Sequence, residues 1–185
     1  VEEKVLLENN QVKMIFSADD RKKTGLIFYA AFLEAKNRRF PLPEGNGMTL
    51  KRVRQMREKL ITSSKVAFRT VTGGGLVVRE HEREKNRDKY YTYKDSGFDE
   101  NLKKVLKVQA KTAGFSENMV EELVMTPVQC KKVLVKHYGV YIDVTVGIFY
   151  LEGDSDLLQY FYQAGIGSRH SEGYGLLDII SQENE

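Results

Sequence analysis

Residues 165–175 read GIGSRHSEGYG, and the fold turns on how this stretch is used. Gly165, Gly167, Gly173 and Gly175 bracket the polar residues Ser168, Arg169, His170, Ser171 and Glu172. A helical pattern (154–164) runs in and a strand pattern (174–180) runs out. Glycine loses more conformational freedom on folding than any other residue, so a loop that keeps four of them needs positive φ values or a close backbone approach. Backbone N–H groups beside an arginine and hydroxyls suit a phosphate-bearing ligand. A dinucleotide fingerprint is excluded, because there a strand enters the glycines and a helix leaves them. The Walker pattern GxxxxGK[ST] is absent too. An ordinary helix-to-strand connection explains Gly165 as the residue just past a helix end and leaves the other glycines unexplained.

Working outward, 123–138 and 140–151 form a long hairpin turning at Gly139, with Ile142, Val144, Val146 and Ile148 as its buried alternate positions. A helix covers 98–113, and 66–71 is a strand broken by Gly73–Gly75. A polar loop carrying Tyr90, Tyr91 and Tyr93 lies between them. The order is β-α-β-β-α-β, which is ferredoxin-like. The first half repeats the last four of these elements: strands at 2–8 and 11–17, a helix from Asp19 or Asp20 to Ala35, and a basic strand over 48–56. The expected fold class is therefore α+β, with tandem ferredoxin-like (RRM-like) domains at 1–62 and 63–185. The first lacks its opening strand and helix, and the chain begins with Val rather than Met, as a fragment would.

With 185 residues, 41% of them hydrophobic and 30% charged, the composition is that of a soluble globular protein. The longest apolar run, 26–33, predicts a buried helix segment rather than a membrane span. No signal peptide is visible, and the expected location is cytoplasmic. Cys130 is the only cysteine, so no intrachain disulfide can form, and His81, His137 and His170 show no metal-ligand spacing. The net charge of +3 is unevenly spread: Lys51, Arg52, Arg54, Arg57, Lys59, Lys65 and Arg69 face only Glu58 between them. That run is a candidate polyanion footprint if it lies on the side of the glycine loop, and a solvated face if not.

The tandem β-α-β-β-α-β pattern, the helix–glycine-loop–strand close and GIGSRHSEGYGLLDII (165–180) together resemble the CRISPR-associated endoribonucleases that process precursor guide RNA. These belong to the repeat-associated RNA-binding superfamily. KVAFRTVTGGGLVVRE (65–80) is similar to the opening of that family's second domain, with Thr70 kept and Gly73–Gly74 where Ser-Pro is usual. The stretch from Tyr90 to Leu102 also fits.

The resemblance implies binding of CRISPR repeat RNA and cleavage of precursor crRNA without metal or cofactor, a 2′-hydroxyl attacking its own phosphate. The family draws its catalytic histidine from the opening helix and the loop after it, elements missing here, so no catalytic residue is assigned. The RNA-binding residues it points to are Gly165, Gly167, Ser168, Arg169, His170, Ser171, Gly173 and Gly175, with Lys51, Arg52, Arg54, Arg69 and Arg79. His170 is expected to be an exposed loop residue and His137 a structural one. Interference-complex subunits and a second copy of the chain stand as further partners. The alternative is a non-catalytic guide-RNA-binding subunit of an interference complex. A general RNA-recognition module is disfavoured, because its aromatic strand signature is absent.

Overall fold

The computed structural model describes residues 9–183. The elements are α1 (Thr24–Glu34), β1 (Arg39–Pro41), β2 (Gly47–Thr49), β3 (Lys65–Thr70), β4 (Val78–Glu82), β5 (Arg87–Tyr91), α2 (Phe98–Thr112), α3 (Glu117–Glu121), β6 (Val124–His137), β7 (Val140–Glu152), α4 (Ser155–Ala164) and β8 (Leu177–Gln182). The main sheet is antiparallel in the order β6-β7-β3-β8. Taking β3-α2-β6-β7-α4-β8 in chain order, this is the ferredoxin-like arrangement expected for the second half, with the opening strand central.

One face of that sheet is dried by the two long helices. Phe68 on β3 lies opposite both Phe149 on β7 and Ile179 on β8, and the two phenylalanine rings are 6.4 Å apart. Leu102, Leu106 and Ala110 of α2 and Leu157, Leu158 and Phe161 of α4 close over them at helical spacing. Helix α4 starts where it does because the Asp154 carboxylate accepts from the N–H groups of Asp156 and Leu157, both at 3.0 Å.

Strand β7 serves two cores. Phe149 and Leu151 point to the helices, whereas Ile142 and Val144 join Val77 and Tyr174 in a smaller cluster under the glycine loop. The expected single buried face over 142–148 is thus corrected: the buried positions change from even to odd near Gly147, where β6 has an irregular register. The stretch between β3 and α2 is also more ordered than a polar loop. Beyond the glycines it folds into the β4–β5 hairpin, with Tyr91 in the main core.

The first half differs more. The strand expected at 11–17 is not formed, and its partner at 2–8 lies outside the described residues. The basic strand expected over 48–56 ends at Thr49, paired only with β1. Alternation marks a segment that suits a sheet, but a strand exists only where a neighbour takes its hydrogen bonds. Helix α1 starts later than expected, because Asp20 and Lys23 close a turn first (Lys23 N–H to Asp20 C=O, 2.8 Å) and Lys23 adopts φ 58°. The apolar run predicted to be buried is exposed: Leu26 and Ile27 are 60% and 65% accessible, and no residue of α1 is buried.

The segment is nevertheless docked. The Arg21 guanidinium lies 4.7 Å from the ring centres of both Phe115 and Tyr160 and donates to the Ala113 carbonyl at 2.9 Å. Among the described residues no helix is long and apolar enough to cross a membrane.

Truncating Phe149 removes a ring with no accessible surface, so Phe149→Ala is expected to lower stability by about 3–5 kcal/mol in urea denaturation.

Candidate nucleic-acid interface

The connection from α4 to β8 is docked against the protein along its length. Helix α4 ends as Gly165 turns to φ 84°, and the Gly165 carbonyl accepts from the Gln109 side chain of α2 at 2.6 Å. The Ile166 N–H then reaches the Gly175 carbonyl (2.9 Å), so the two limbs of the loop are tied together. The Ser168 N–H donates to Val77 (2.8 Å) and the Gly175 N–H to Gly75 (2.8 Å), laying the loop alongside the segment before β4.

This explains the glycines. A Cβ on Gly167 would lie 2.6 Å from the Val77 oxygen, and one on Gly175 would lie 2.5 Å from the Ile166 oxygen. The close approach inferred from sequence is an approach to the protein's own backbone. Gly173 differs: it has φ 92°, but open space surrounds its Cβ position.

Of the polar residues between the glycines, Ser171, Glu172 and Gly173 form the exposed tip, with Ser168 half-buried at its edge. His170 is not the exposed histidine expected. Its ring turns inward, with Cδ2 against the positions that Cβ atoms on Gly165 and Gly175 would take. Burial pushes its pKa below the ordinary 6.5, opposed by a hydrogen bond to the Ile166 backbone. Its Nε2 is buried without a hydrogen-bond partner.

Arg169 also turns inward, its side chain only 15% exposed. Nη1 donates to both carboxylate oxygens of Glu172 (3.0 and 2.7 Å), and Nη2 donates to the Tyr90 hydroxyl (2.7 Å) with Asp88 at 3.4 Å. The Arg169 guanidinium holds the Glu172 carboxyl below the usual glutamate range. His137, at the end of β6 and 12% exposed, brings Nε2 onto the same carboxylate. An Nε2–H donating there has no lone pair for Arg169 Nη1 at 3.2 Å, so the guanidinium's bonds run to Glu172 and Tyr90. Tyr174 packs edge-on to the His137 ring, 5.8 Å between centres.

The remaining sequence candidates fall in three places. Arg79 sits on β4 beside Asp88 (3.5 Å), which His81 also holds at 2.8 Å. Arg69 lies on the helix-free face of the sheet, paired with Asp178 at 3.0 Å, a carboxylate shared with Lys59. Lys51, Arg52 and Arg54, with Arg57, are exposed and carry no ion pair among the described residues.

The basic run leads to helix α4, whose last turn precedes the glycine loop. Beyond Arg57, Glu58 accepts from the side chains of Gln159 (2.8 Å) and Gln163, the latter in the last turn of α4. The Ile61 N–H then donates to Gln159 (2.8 Å), and Gln182 of β8 brackets Leu60 and Thr62. Of the three tyrosines, Tyr91 is buried with its hydroxyl on Glu80 (2.5 Å) and Tyr93 reaches the Cys130 carbonyl (2.7 Å). Tyr90 caps Arg169, a role that nothing in the sequence announced.

A four-stranded ferredoxin-like sheet, closed by a glycine loop and joined at α4 by a basic run without ion pairs among the described residues, defines an α+β protein. The family model described as CRISPR associated protein Cas6, C-terminal, matches residues 55–179, and the chain belongs to that family. The fold is similar to the structure titled "Characterization of a Cas6-related gene from Pyrococcus furiosus" (TM-score 0.69, 18% identity, 90% of this chain and 67% of that one). It is similar also to "An RAMP protein binding different RNA substrates" (TM-score 0.63, 18% identity, 89% and 67%). A Cas6 product complex aligns with TM-score 0.57 at 16% identity over 88% and 72% of the two chains. This chain thus spans about two thirds of the length of the first two structures. The sequence matches no curated protein.

Gly175→Ala, which combines a left-handed φ with a backbone clash, is expected to cost about 3 kcal/mol, against about 1 kcal/mol for Gly173→Ala, which carries the φ penalty alone. Urea titration of both variants checks the difference. Because the folded protein keeps His170 neutral, its contribution is fully present above the ordinary 6.5 and is lost as pH falls toward the lowered folded value. His170 is therefore expected to withdraw stability as pH falls below the ordinary 6.5, and the parent should lose more than His170→Gln over that range in the same titration.

Proposed function

We propose that this protein binds CRISPR repeat RNA and acts in processing precursor crRNA to guide RNA, as a metal-independent endoribonuclease. The observation that carries the reading is the exposed run Lys51–Arg57, whose cations have no ion pair among the described residues and which is followed by Glu58, hydrogen-bonded to the last turn of α4 just before the glycine loop. Membership of the Cas6 family, matched over 55–179, supports it, as does a fold shared with a structure titled as an RNA-binding RAMP protein. In this reading Lys51, Arg52, Arg54 and Arg57 neutralise the phosphodiester chain, and Ser168, Ser171 and the Gly173 backbone contact sugar or phosphate at the loop tip. Arg69 and Arg79 flank that path with their carboxylate partners. The division between an N-terminal portion and the RNA-gripping C-terminal unit falls at 62/63, just before β3.

Cleavage by a 2′-hydroxyl needs a base at that hydroxyl, an acid at the leaving 5′-oxygen and positive charge on the phosphate. The basic run and loop tip supply the last. The histidines described here are otherwise engaged: His81 with Asp88, His137 with Glu172, and His170 inside the loop. The second reading is a guide-RNA-binding subunit that does not itself cut, to which the fold shared with an RNA-binding RAMP protein is equally suited.

Incubating the protein with repeat RNA in EDTA separates the two. A product ending in a cyclic phosphate is expected of the enzyme, and tight binding without a product is expected of the subunit. Failure to bind repeat RNA over random RNA would remove both. Lys51→Glu, Arg52→Glu and Arg54→Glu should each flatten the plot of log affinity against log salt by about 0.7–0.9 if each cation meets a phosphate. An unchanged slope would return the run to the status of a solvated face.

A further inference from the structure

The arginine in the middle of the glycine loop is the residue that sequence offers first as a phosphate ligand, and its surroundings argue for another use. Both terminal nitrogens of its guanidinium are already engaged, and its Nε is buried without a hydrogen-bond partner among the described residues. Nη1 takes both oxygens of Glu172, and Nη2 takes the Tyr90 hydroxyl beside Asp88. Around it the formal charges of the arginines and carboxylates balance, Arg169 and Arg79 against Asp88 and Glu172, and His81 and His137 each place a ring nitrogen on one of those carboxylates. A phosphate arriving there would meet two carboxylates already held by the two arginines.

Three separate segments meet at that one side chain. Glu172 belongs to the loop itself, Tyr90 and Asp88 to β5, and His137 to the tip of the β6–β7 hairpin. The left-handed backbone at Arg169 (φ 64°) marks where the chain turns as the side chain enters this cluster. A planar fork satisfies a carboxylate and a hydroxyl together, which a lysine ammonium does not reproduce.

We infer that Arg169 is a positioning residue: it pins the glycine loop to the β4–β5 hairpin directly and, by holding the Glu172 carboxylate that His137 shares, to the β6–β7 tip, and so presents Ser168, Ser171 and Gly173 to RNA without touching phosphate itself. The part of this that concerns RNA rests on the function proposed above; the pinning does not. Removing the fork loosens three segments together and leaves the number of phosphate-bound cations unchanged.

The test combines amide hydrogen exchange with RNA binding across a salt series, on the full chain and its Arg169→Lys, Arg169→Ala and Tyr90→Phe variants. Arg169→Lys is expected to raise exchange about tenfold or more over both 166–174 and 137–140, segments far apart in sequence. It should weaken repeat-RNA binding with no change in salt slope, even though the charge is kept. Tyr90→Phe, a change that leaves the core intact, should move the same amides in the same direction by a smaller factor. The inference is overturned if Arg169→Lys exchanges and binds like the parent while Arg169→Ala flattens the salt slope by about 0.7–0.9, the signature of one lost phosphate contact. If the parent protein binds no repeat RNA, the proposed function fails, and the exchange of the Lys and Phe variants alone decides the pinning.

Discussion

The arrangement depends on a backbone-to-backbone contact: the loop leaving α4 lies against the segment before β4, through Ser168 N–H to Val77 and Gly175 N–H to Gly75. Two chains can approach that closely only where side chains are absent, as at Gly167 and Gly175. Buried backbone groups must find partners, and here loop and segment satisfy each other. Tyr174 is carried by the same contact into the small core with Val77, Ile142 and Val144, and Gln109 of α2 holds the loop's first carbonyl. The loop is thereby fixed from beneath, and only its tip faces solvent.

The charges divide into two populations. Several cations near the loop are paired: Arg69 of β3 with Asp178, Arg79 and His81 of β4 with Asp88, and Arg169 of the loop with Glu172. Those on 51–57 have no ion pair among the described residues. Exposed pairs contribute little to stability in water, typically below about 1 kcal/mol each, but pairing does decide which cations remain open to a polyanion. A net charge of only +3 can therefore coexist with a local surplus where the basic run meets α4.

The second half was legible because its sheet is closed within the chain. Periodicity identified α2, α4 and the long hairpin, and the order of elements then left few ways to pair β3 with β7 and β8. The first half was legible only as potential. Val12, Met14 and Phe16 alternate as a strand would, yet no described neighbour takes their hydrogen bonds, and the apolar residues of α1 remain at the surface. Around the loop, sequence located the glycines but not what they approach. The role of Arg169 was hidden for a related reason: Tyr90 and Asp88 lie 79 and 81 positions away, and the alternating charges of 79–89 concealed a hairpin.

Strand β7 forms part of two cores of unequal size, since Phe149 and Leu151 belong to the large one and Ile142 and Val144 to the cluster of four buried side chains that supports the loop. Cooperative units of such different size open at different free energies. The smaller is expected to open at lower cost than the helix-backed sheet, so the ground beneath the glycine loop is the part of the fold that yields first.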